Sequence, residues 1–299
     1  MNSKDQKRIL VTGSKGQVGV ELARQLPTTF PSAEILMTDR TSLDLSNLTQ
    51  LKETISQFSP HIIINAGAYT AVDKAEDDQE TAYIINSEAP KVLAKISKST
   101  DALLIHYSTD YVFDGMKKEF YKEEDITNPL NIYGKSKLKG EQNIVSIGGR
   151  FLILRTSWVY AEHGHNFMRT ILRLAQERNE LSIVNDQWGS PTSASWLAEI
   201  SNLLSQRFFS KHPLESGIYH AVCREETNWF DYAHFILECA NIDNVSLIPT
   251  ATGVTPTKAK RPTNSRLSTD KIQSKLGILP PPWKNEVQRI VSLILKETE

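Results

Sequence analysis

Tyr133 and Lys137 stand four residues apart in the run Tyr133-Gly134-Lys135-Ser136-Lys137. On a helix that spacing puts both side chains on one face. An ammonium there can stabilise a phenolate. A phenol, with an ordinary pKa of about 10, needs such help to exchange protons near neutrality. The pair therefore suits general acid catalysis. Alone, the spacing is common on helix surfaces. Its place in the chain gives it weight, because it follows a glycine-rich loop and a strand-like run ending in Ser108-Thr109.

Three glycines, Gly13, Gly16 and Gly19, punctuate that loop. It lies between an apolar stretch at 9–12 and a helical pattern at 20–26, which Pro27 is expected to stop. In a strand-to-helix turn the first glycine permits the tight bend. The second lets backbone approach a pyrophosphate at the helix N-terminus, and the third lets the helix pack on the sheet. Asp39 closes the next strand-like run, twenty residues past Gly19, where a carboxylate bonds an adenosine ribose hydroxyl. Arg40 beside it could receive a 2′-phosphate. The two residues pull toward NADH and NADPH respectively, and the sequence leaves both open.

The elements that must position these groups alternate. Strand-like runs at 9–12, 34–38, 61–65, 103–107 and 151–154 are separated by helical patterns at 20–26, 48–58, 77–98 and 133–145. The run at 61–65 lacks polar alternation, as a strand covered on both faces requires. Ser46 or Asn47 is placed to cap the second helix. This alternation predicts a Rossmann-type, doubly wound parallel α/β sheet. After Trp158 the rhythm loosens. Helices are expected at 166–177, 193–208, 229–240 and 283–296, with a late strand at 217–222. We assign 1–160 to a dinucleotide-binding domain. Residues 161–299 go mainly to a smaller, partly interleaved substrate domain, with a segment near 193–222 returning to the first. The stretch 253–265 has two prolines and no periodicity, and reads as an ordered loop or lid.

With 299 residues the chain exceeds what one core usually fills. Its 23% charged and 39% apolar content is ordinary for a globular protein. A net charge of −1 leaves no basic surplus for nucleic acid or anionic lipid. No apolar run would span a bilayer, and the polar start at 1–8 has no apolar signal region behind it, so a cytoplasmic location is expected. Cys223 and Cys239 fit no zinc or redox spacing and read as reduced core thiols. His163 and His165 share a glycine-containing loop with no second cluster, which reads as surface rather than metal site.

With these pieces the chain resembles the extended short-chain dehydrogenase/reductases and, more narrowly, the dTDP-4-dehydrorhamnose reductase family. The resemblance covers nearly the whole chain. It rests on Thr12 to Gly19 and on Asn65-Ala66-Gly67-Ala68-Tyr69-Thr70-Ala71-Val72-Asp73-Lys74-Ala75-Glu76. Next come Ser108-Thr109-Asp110-Tyr111-Val112-Phe113 and Leu130-Asn131-Ile132-Tyr133-Gly134. Later pieces are Arg155-Thr156-Ser157-Trp158-Val159-Tyr160, Asn185-Asp186-Gln187-Trp188-Gly189-Ser190-Pro191-Thr192 and Arg261-Pro262-Thr263-Asn264-Ser265-Arg266-Leu267. The resemblance implies reduction, with NADPH or NADH, of the 4-keto group of dTDP-4-dehydro-L-rhamnose to dTDP-L-rhamnose.

It also implies roles. Tyr133 would be the general acid, Lys137 would lower its pKa and bond the nicotinamide ribose, and Thr109 would hydrogen-bond the substrate carbonyl. Gly13, Gly16, Gln17, Val18 and Gly19 would form the pyrophosphate loop and Asp39 would hold the adenosine ribose. Asp44 and Leu45 would flank the adenine, and Ala68, Tyr69 and Thr70 would lie along the cofactor. Asp110 and Trp158 would contact the substrate, and Arg261 and Arg266 would fork onto its diphosphate.

Two departures stand out. In related members a magnesium ion held by glutamates bridges a dimer. Glu21 keeps one such position, but Ser195 replaces another, and a hydroxyl is a weak ligand for a hard cation. That puts magnesium in doubt and leaves monomer and homodimer both open. Gly67 stands where alanine is usual. Three other readings remain: a 4,6-dehydratase, which needs an acid where Tyr111 follows Thr109-Asp110; a 4-epimerase; and a non-catalytic regulatory subunit on the same fold.

Overall fold

The computed structural model describes residues 6–254 and 256–296. Most of the polar start and residue 255 of the 253–265 loop lie outside them. Five strands form the centre: β1 (Arg8–Thr12), β2 (Glu34–Thr38), β3 (Ile62–Asn65), β4 (Leu103–Thr109) and β5 (Arg150–Thr156). A sixth, Gly217–His220, adds to the edge beside β5. Every pairing is parallel, and the order is Gly217–His220, β5, β4, β3, β1, β2. This is the Rossmann-type sheet that the alternation predicted.

Each strand divides its side chains between two buried faces, with period two. Ile9, Val11, Ile62, Ile64, Ile105, Leu152 and Leu154 feed one core. Leu10, Ile63, Leu104 and Ile153 feed the other, against Leu51, Ile55 and Leu93 of the covering helices. All four residues of β3 are buried, which explains its unbroken apolar character.

The helices follow the sequence with two corrections. The first runs Gln17–Thr29, straight through Pro27. Proline there forfeits a bond only in the last turn, and Phe30 N still donates to Leu26 O at 2.8 Å. The single helix expected at 77–98 is broken into Gln79–Tyr83, a π turn at Ile84–Glu88, and Ala89–Thr100. A π turn carries no periodicity that a 3.6-residue pattern can reveal. It places Asn86 beneath the loop after β3, where its amide accepts from Tyr69 N (2.9 Å) and donates to Tyr69 O (3.0 Å). The same amide donates to Ser136 Oγ at 3.0 Å. Asn86 thereby ties the loop after β3 to the helix that carries Tyr133.

Asn47 caps Leu48–Phe58 by accepting from Gln50 N. Helix Ala194–Phe209 leaves the second half of the chain and packs on the first helix, where Asn202 Nδ2 donates to Gln25 Oε1 at 3.0 Å. Helices Phe167–Glu177 and Trp229–Cys239 pack on a separate parallel pair, Glu180–Val184 with Ser246–Thr250, and Trp283–Lys296 packs on Trp229–Cys239. Cys223 and Cys239 are free thiols. Among the described residues no helix is long and apolar enough to cross a membrane.

Candidate active site

The strand order reverses between β1 and β3, and such a reversal opens a crevice at the carboxyl ends of the strands. The predicted cofactor residues stand around it. Gly13 follows β1 with φ +73°, and a Cβ there would come within 2.5 Å of Gly67 N. A Cβ on Gly19 would come within 2.1 Å of Gly13 O, so the helix can approach this closely only without a side chain. A Cβ on Gly16 would meet only Gly13 O, at 3.2 Å. Gly13 and Gly19 are thus set by packing. Gly16, the helix N-cap, keeps open space beside N–H groups that attract an anion.

Asp39 ends β2 beside this loop. Its carboxylate accepts from Thr41 N (2.8 Å) and Ser42 N (3.0 Å) and pairs with Lys15 Nζ at 2.5 Å. Lys15, with Thr41 and Ser42, holds its pKa well below the usual carboxylate range. Lys15 was not among the expected residues, although its place inside the glycine loop was a signal. Arg40 is exposed. Asp44 accepts from Ser46 N, and Leu45 lies under Gly67, where an added Cβ would stand 2.7 Å from Leu45 Cδ1. Ala68, Tyr69 and Thr70 follow β3 in the loop that Asn86 fixes.

Helix Ile132–Ile147 brings Tyr133 and Lys137 to the end of β4. Asn131 caps it, accepting from Gly134 N at 2.8 Å. Gly134 is needed because a Cβ would come within 2.2 Å of Tyr111 O. Burial pushes the Tyr133 phenol up to about 12; a hydrogen bond with Thr109 opposes this, and the Asp110 charge adds to it. Thr109 Oγ1 also donates to Asp110 Oδ1 at 3.0 Å. Asp110 is 3% exposed, and its Oδ2 has no hydrogen-bond partner among the described residues. Burial raises its pKa to about 6, against the hydroxyls of Ser265 and Thr109. An unpartnered buried carboxyl oxygen is costly and is a mark of a ligand site.

Lys137 departs from expectation. Its Nζ donates to Tyr107 O at 2.6 Å and lies 3.4 Å from His106 Nε2. Burial lowers its pKa to about 8, with the Glu141 charge opposing. The phenol of Tyr133 takes its downward pull from Thr109, and the lysine is not among its influences.

The predicted substrate residues divide. Trp158, at φ +47°, stacks on Trp229 with ring centres 3.7 Å apart and lies over Gly189. One of its faces is therefore committed to packing. Arg261 pairs with Asp73 Oδ2 at 2.6 Å, and its charge lies near the Tyr111 phenol, whose ring stands edge-on to Tyr133. Arg266 instead pairs with Glu226 and lies over the Phe120 ring. Among the described residues the two arginines share no partner. Asp73 was quoted within a motif but missed as the group that anchors Arg261.

The place considered for magnesium does not fit that ion. Glu21 lies 3.3 Å from Arg24 and 3.2 Å from His163 Nε2, while Arg289 bonds Ser195 Oγ and Glu286. A hard dication needs several oxygen ligands, and guanidinium groups already crowd these. Among the described residues no group of three or more His, Cys, Asp or Glu is arranged for a metal. His163 packs against Glu21 rather than standing free, and only His165 is exposed.

A parallel doubly wound sheet, a glycine loop at its reversal and a Thr-Tyr-Lys set define a Rossmann-type oxidoreductase of the short-chain dehydrogenase/reductase class. A family model described as RmlD substrate binding domain matches residues 7–295. A dTDP-4-dehydrorhamnose reductase of Salmonella typhimurium is 41% identical, covering 97% of this chain and 99% of that protein. The crystal structure of a dTDP-4-dehydrorhamnose reductase from Clostridium acetobutylicum matches with a TM-score of 0.89 at 35% identity, over 96% of this chain and 99% of that one. Another, from Bacillus anthracis in complex with NADP, has a TM-score of 0.88 at 34% identity, again over 96% and 99%. The chain belongs to the dTDP-4-dehydrorhamnose reductase family.

Proposed function

We propose that this chain reduces the 4-keto group of dTDP-4-dehydro-L-rhamnose to the alcohol of dTDP-L-rhamnose, using NADPH or NADH, in dTDP-rhamnose biosynthesis. The observation that carries the reading is the buried phenol of Tyr133, near enough to Thr109 for that hydroxyl to lower its pKa, beside a buried Asp110 whose Oδ2 has no hydrogen-bond partner among the described residues. The nicotinamide, when bound, supplies hydride to C4. The side chains do the rest. Thr109 and Tyr133 converge on one carbonyl oxygen, and the phenol gives that oxygen its proton. A pKa near 12 keeps Tyr133 protonated at neutral pH, so it enters the reaction as an acid. The phenolate left behind needs a cation, which Lys137 can supply from the same helix face. Asp110 Oδ2 is an acceptor suited to a sugar hydroxyl.

In this reading Gly16, Gln17 and Val18 meet the pyrophosphate, Asp39 the adenosine ribose, and Arg40 with Lys15 a 2′-phosphate. Asp44 and Leu45 flank the adenine, and Ala68 to Thr70 follow the cofactor. Trp158 offers its uncommitted face to the sugar or thymine, and Arg261 leaves Asp73 for a diphosphate. Residues 1–160 carry the cofactor and 161–299 mainly the substrate. The two free thiols suit a reducing, cytosolic setting.

The test is NADPH oxidation by the purified protein with and without dTDP-4-dehydro-L-rhamnose. Sugar-dependent oxidation is expected. Tyr133→Phe should lower kcat by about a hundredfold or more, since general acid catalysis contributes roughly 10² to 10⁴. Near-normal turnover in that variant sinks the role of Tyr133. No oxidation at all, with cofactor bound, sinks the activity.

A further inference from the structure

Lys137 is held from behind by a residue that the reaction above does not use. His106 on β4 is in register with Asn65 on β3, and Asn65 with Thr12 on β1. Three side chains therefore line up across three adjacent strands. Thr12 Oγ1 donates to Asn65 Oδ1 at 2.6 Å. Asn65 Nδ2 lies 2.9 Å from His106 Nδ1, and His106 Nε2 lies 3.4 Å from Lys137 Nζ. Thr12, Asn65 and His106 are each 1% exposed, and Lys137 2%. The chain starts at the residue before Gly13 and ends at the lysine beside Tyr133.

The donor pattern fixes where protons stand. A Thr12 hydroxyl that donates to the Asn65 oxygen turns the amide NH₂ toward the imidazole. Nδ1 then accepts, and the one proton of a neutral imidazole sits on Nε2. Burial and the nearby Lys137 charge both keep His106 neutral. Its Nε2–H therefore faces Lys137 Nζ. An amine lone pair can accept that proton, but an ammonium cannot. The ammonium needs the opposite polarity: Nε2 bare, the proton on Nδ1, and the Asn65 amide turned so that its oxygen accepts.

We propose that Thr12, Asn65, His106 and Lys137 form one reversible hydrogen-bond chain, in which His106 is a positioning residue that ties the charge on Lys137 to the orientation of Asn65. The net change between the two polarities is uptake of one solvent proton by Lys137. The imidazole stays neutral, and its single proton exchanges from Nε2 to Nδ1. The other groups facing this pair are fixed. Glu141, one turn along the helix from Lys137, is paired with Arg155 of β5 at 2.7 Å and bonds Ser108 of β4. The Tyr107 phenol points away, to Ser201 and Leu197 O. Asp110 and Tyr133 stand on the substrate side.

The proposal rests on Lys137 being the site's lysine, but its first test needs no substrate. The full-length protein, labelled with ¹⁵N-histidine, is followed by NMR from about pH 6 to about pH 9.5, spanning the titration of a buried lysine. His106 should show the Nδ1–H tautomer at the acid end and the Nε2–H tautomer at the alkaline end. One tautomer throughout, or an imidazolium at either end, overturns the proposal. Thr12→Val removes the donor that holds Asn65 in its present orientation. It should raise the pH midpoint of the tautomer change by about half a unit or more, the scale of one net hydrogen bond. An unmoved midpoint in the folded variant overturns the coupling, and the histidine titration of the unmodified chain decides the matter alone if that variant does not fold. In turnover assays the alkaline limb of kcat/KM should move with the same midpoint. If the tautomer switches but no sugar is reduced, the chain stands and the assigned reaction falls.

Discussion

At the scale of single residues, the site is a set of groups whose titrations burial has shifted toward their neutral forms. Burial dominates at Tyr133, Asp110 and Lys137 alike, and their partners only trim it. Asp110 offers the cleanest check. Its folded pKa lies near 6 against an ordinary 3.8, so the fold prefers the neutral acid. That contribution is complete below the unfolded value and is lost as pH rises through about 6. Above it the fold carries a buried carboxylate, at a cost of up to ~3 kcal/mol for a shift of about two units. Asp110→Asn stays neutral at every pH. Its melting temperature relative to the unmodified chain should therefore climb between about pH 5 and about pH 8. Thermal unfolding at the two values measures this, and a gap that fails to widen would show that the carboxylate is not strained. The substrate KM should rise at the same time, because the amide cannot accept at both atoms.

At the scale of elements, the glycine loop separates two demands that a motif alone presents as one. Gly19 is a packing glycine, since a Cβ would drive into Gly13 O at 2.1 Å and Ser14 Cα at 2.6 Å. Gly16 is an approach glycine, where a Cβ would meet only Gly13 O, at 3.2 Å, a contact that a shift of a few tenths of an ångström relieves. Gly19→Ala should destabilise the fold by about 1–3 kcal/mol, the usual cost of overpacking. Gly16→Ala should melt close to the unmodified chain yet bind NADPH at least about tenfold more weakly, because its methyl intrudes on the pyrophosphate. Melting curves paired with a cofactor fluorescence titration distinguish the two. Equal effects of both variants on both readouts would refute the division. The π turn at Ile84–Glu88 belongs to this scale too. It lets Asn86 reach the loop after β3 and lets Gly140 of helix Ile132–Ile147 approach Asn86 O, where a Cβ would stand 2.2 Å away.

At the scale of the whole molecule, the segment after β3 and a late loop at 259–261 meet beside the helix that carries Tyr133. Asp73, after β3, accepts from Ala259 N at 2.9 Å and pairs with Arg261, and Asn131 Nδ2 donates to Lys260 O at 2.8 Å. The late loop is thus anchored to the helix that carries Tyr133 as well as to the loop after β3. Arg261→Ala should raise KM for the nucleotide sugar about tenfold or more, the loss expected of a charge-assisted bond to phosphate. NADPH affinity should stay unchanged, as calorimetric titration can verify. Equal weakening of both ligands would place Arg261 in the architecture of the crevice rather than on the substrate.

The sequence by itself determined the alternation of strand and helix, the glycine loop, the acid at the end of β2, and the helix face shared by Tyr133 and Lys137. These are local properties: a period of 2 or of 3.6, a proline, a cap and a short spacing are all written within a few residues of one another. Other features were decided only by the tertiary structure. Pro27 is absorbed because it falls in a last turn. Lys137 turns to a backbone carbonyl of β4, a neighbour thirty residues away in sequence. Lys15 meets Asp39, Asp73 meets Arg261, and Thr12, Asn65 and His106 align because parallel register sets them side by side. Such contacts depend on strand order and register, which single-chain patterns do not encode. So do the shifts of pKa, because burial, their largest cause, exists only once the sheet has closed over these groups.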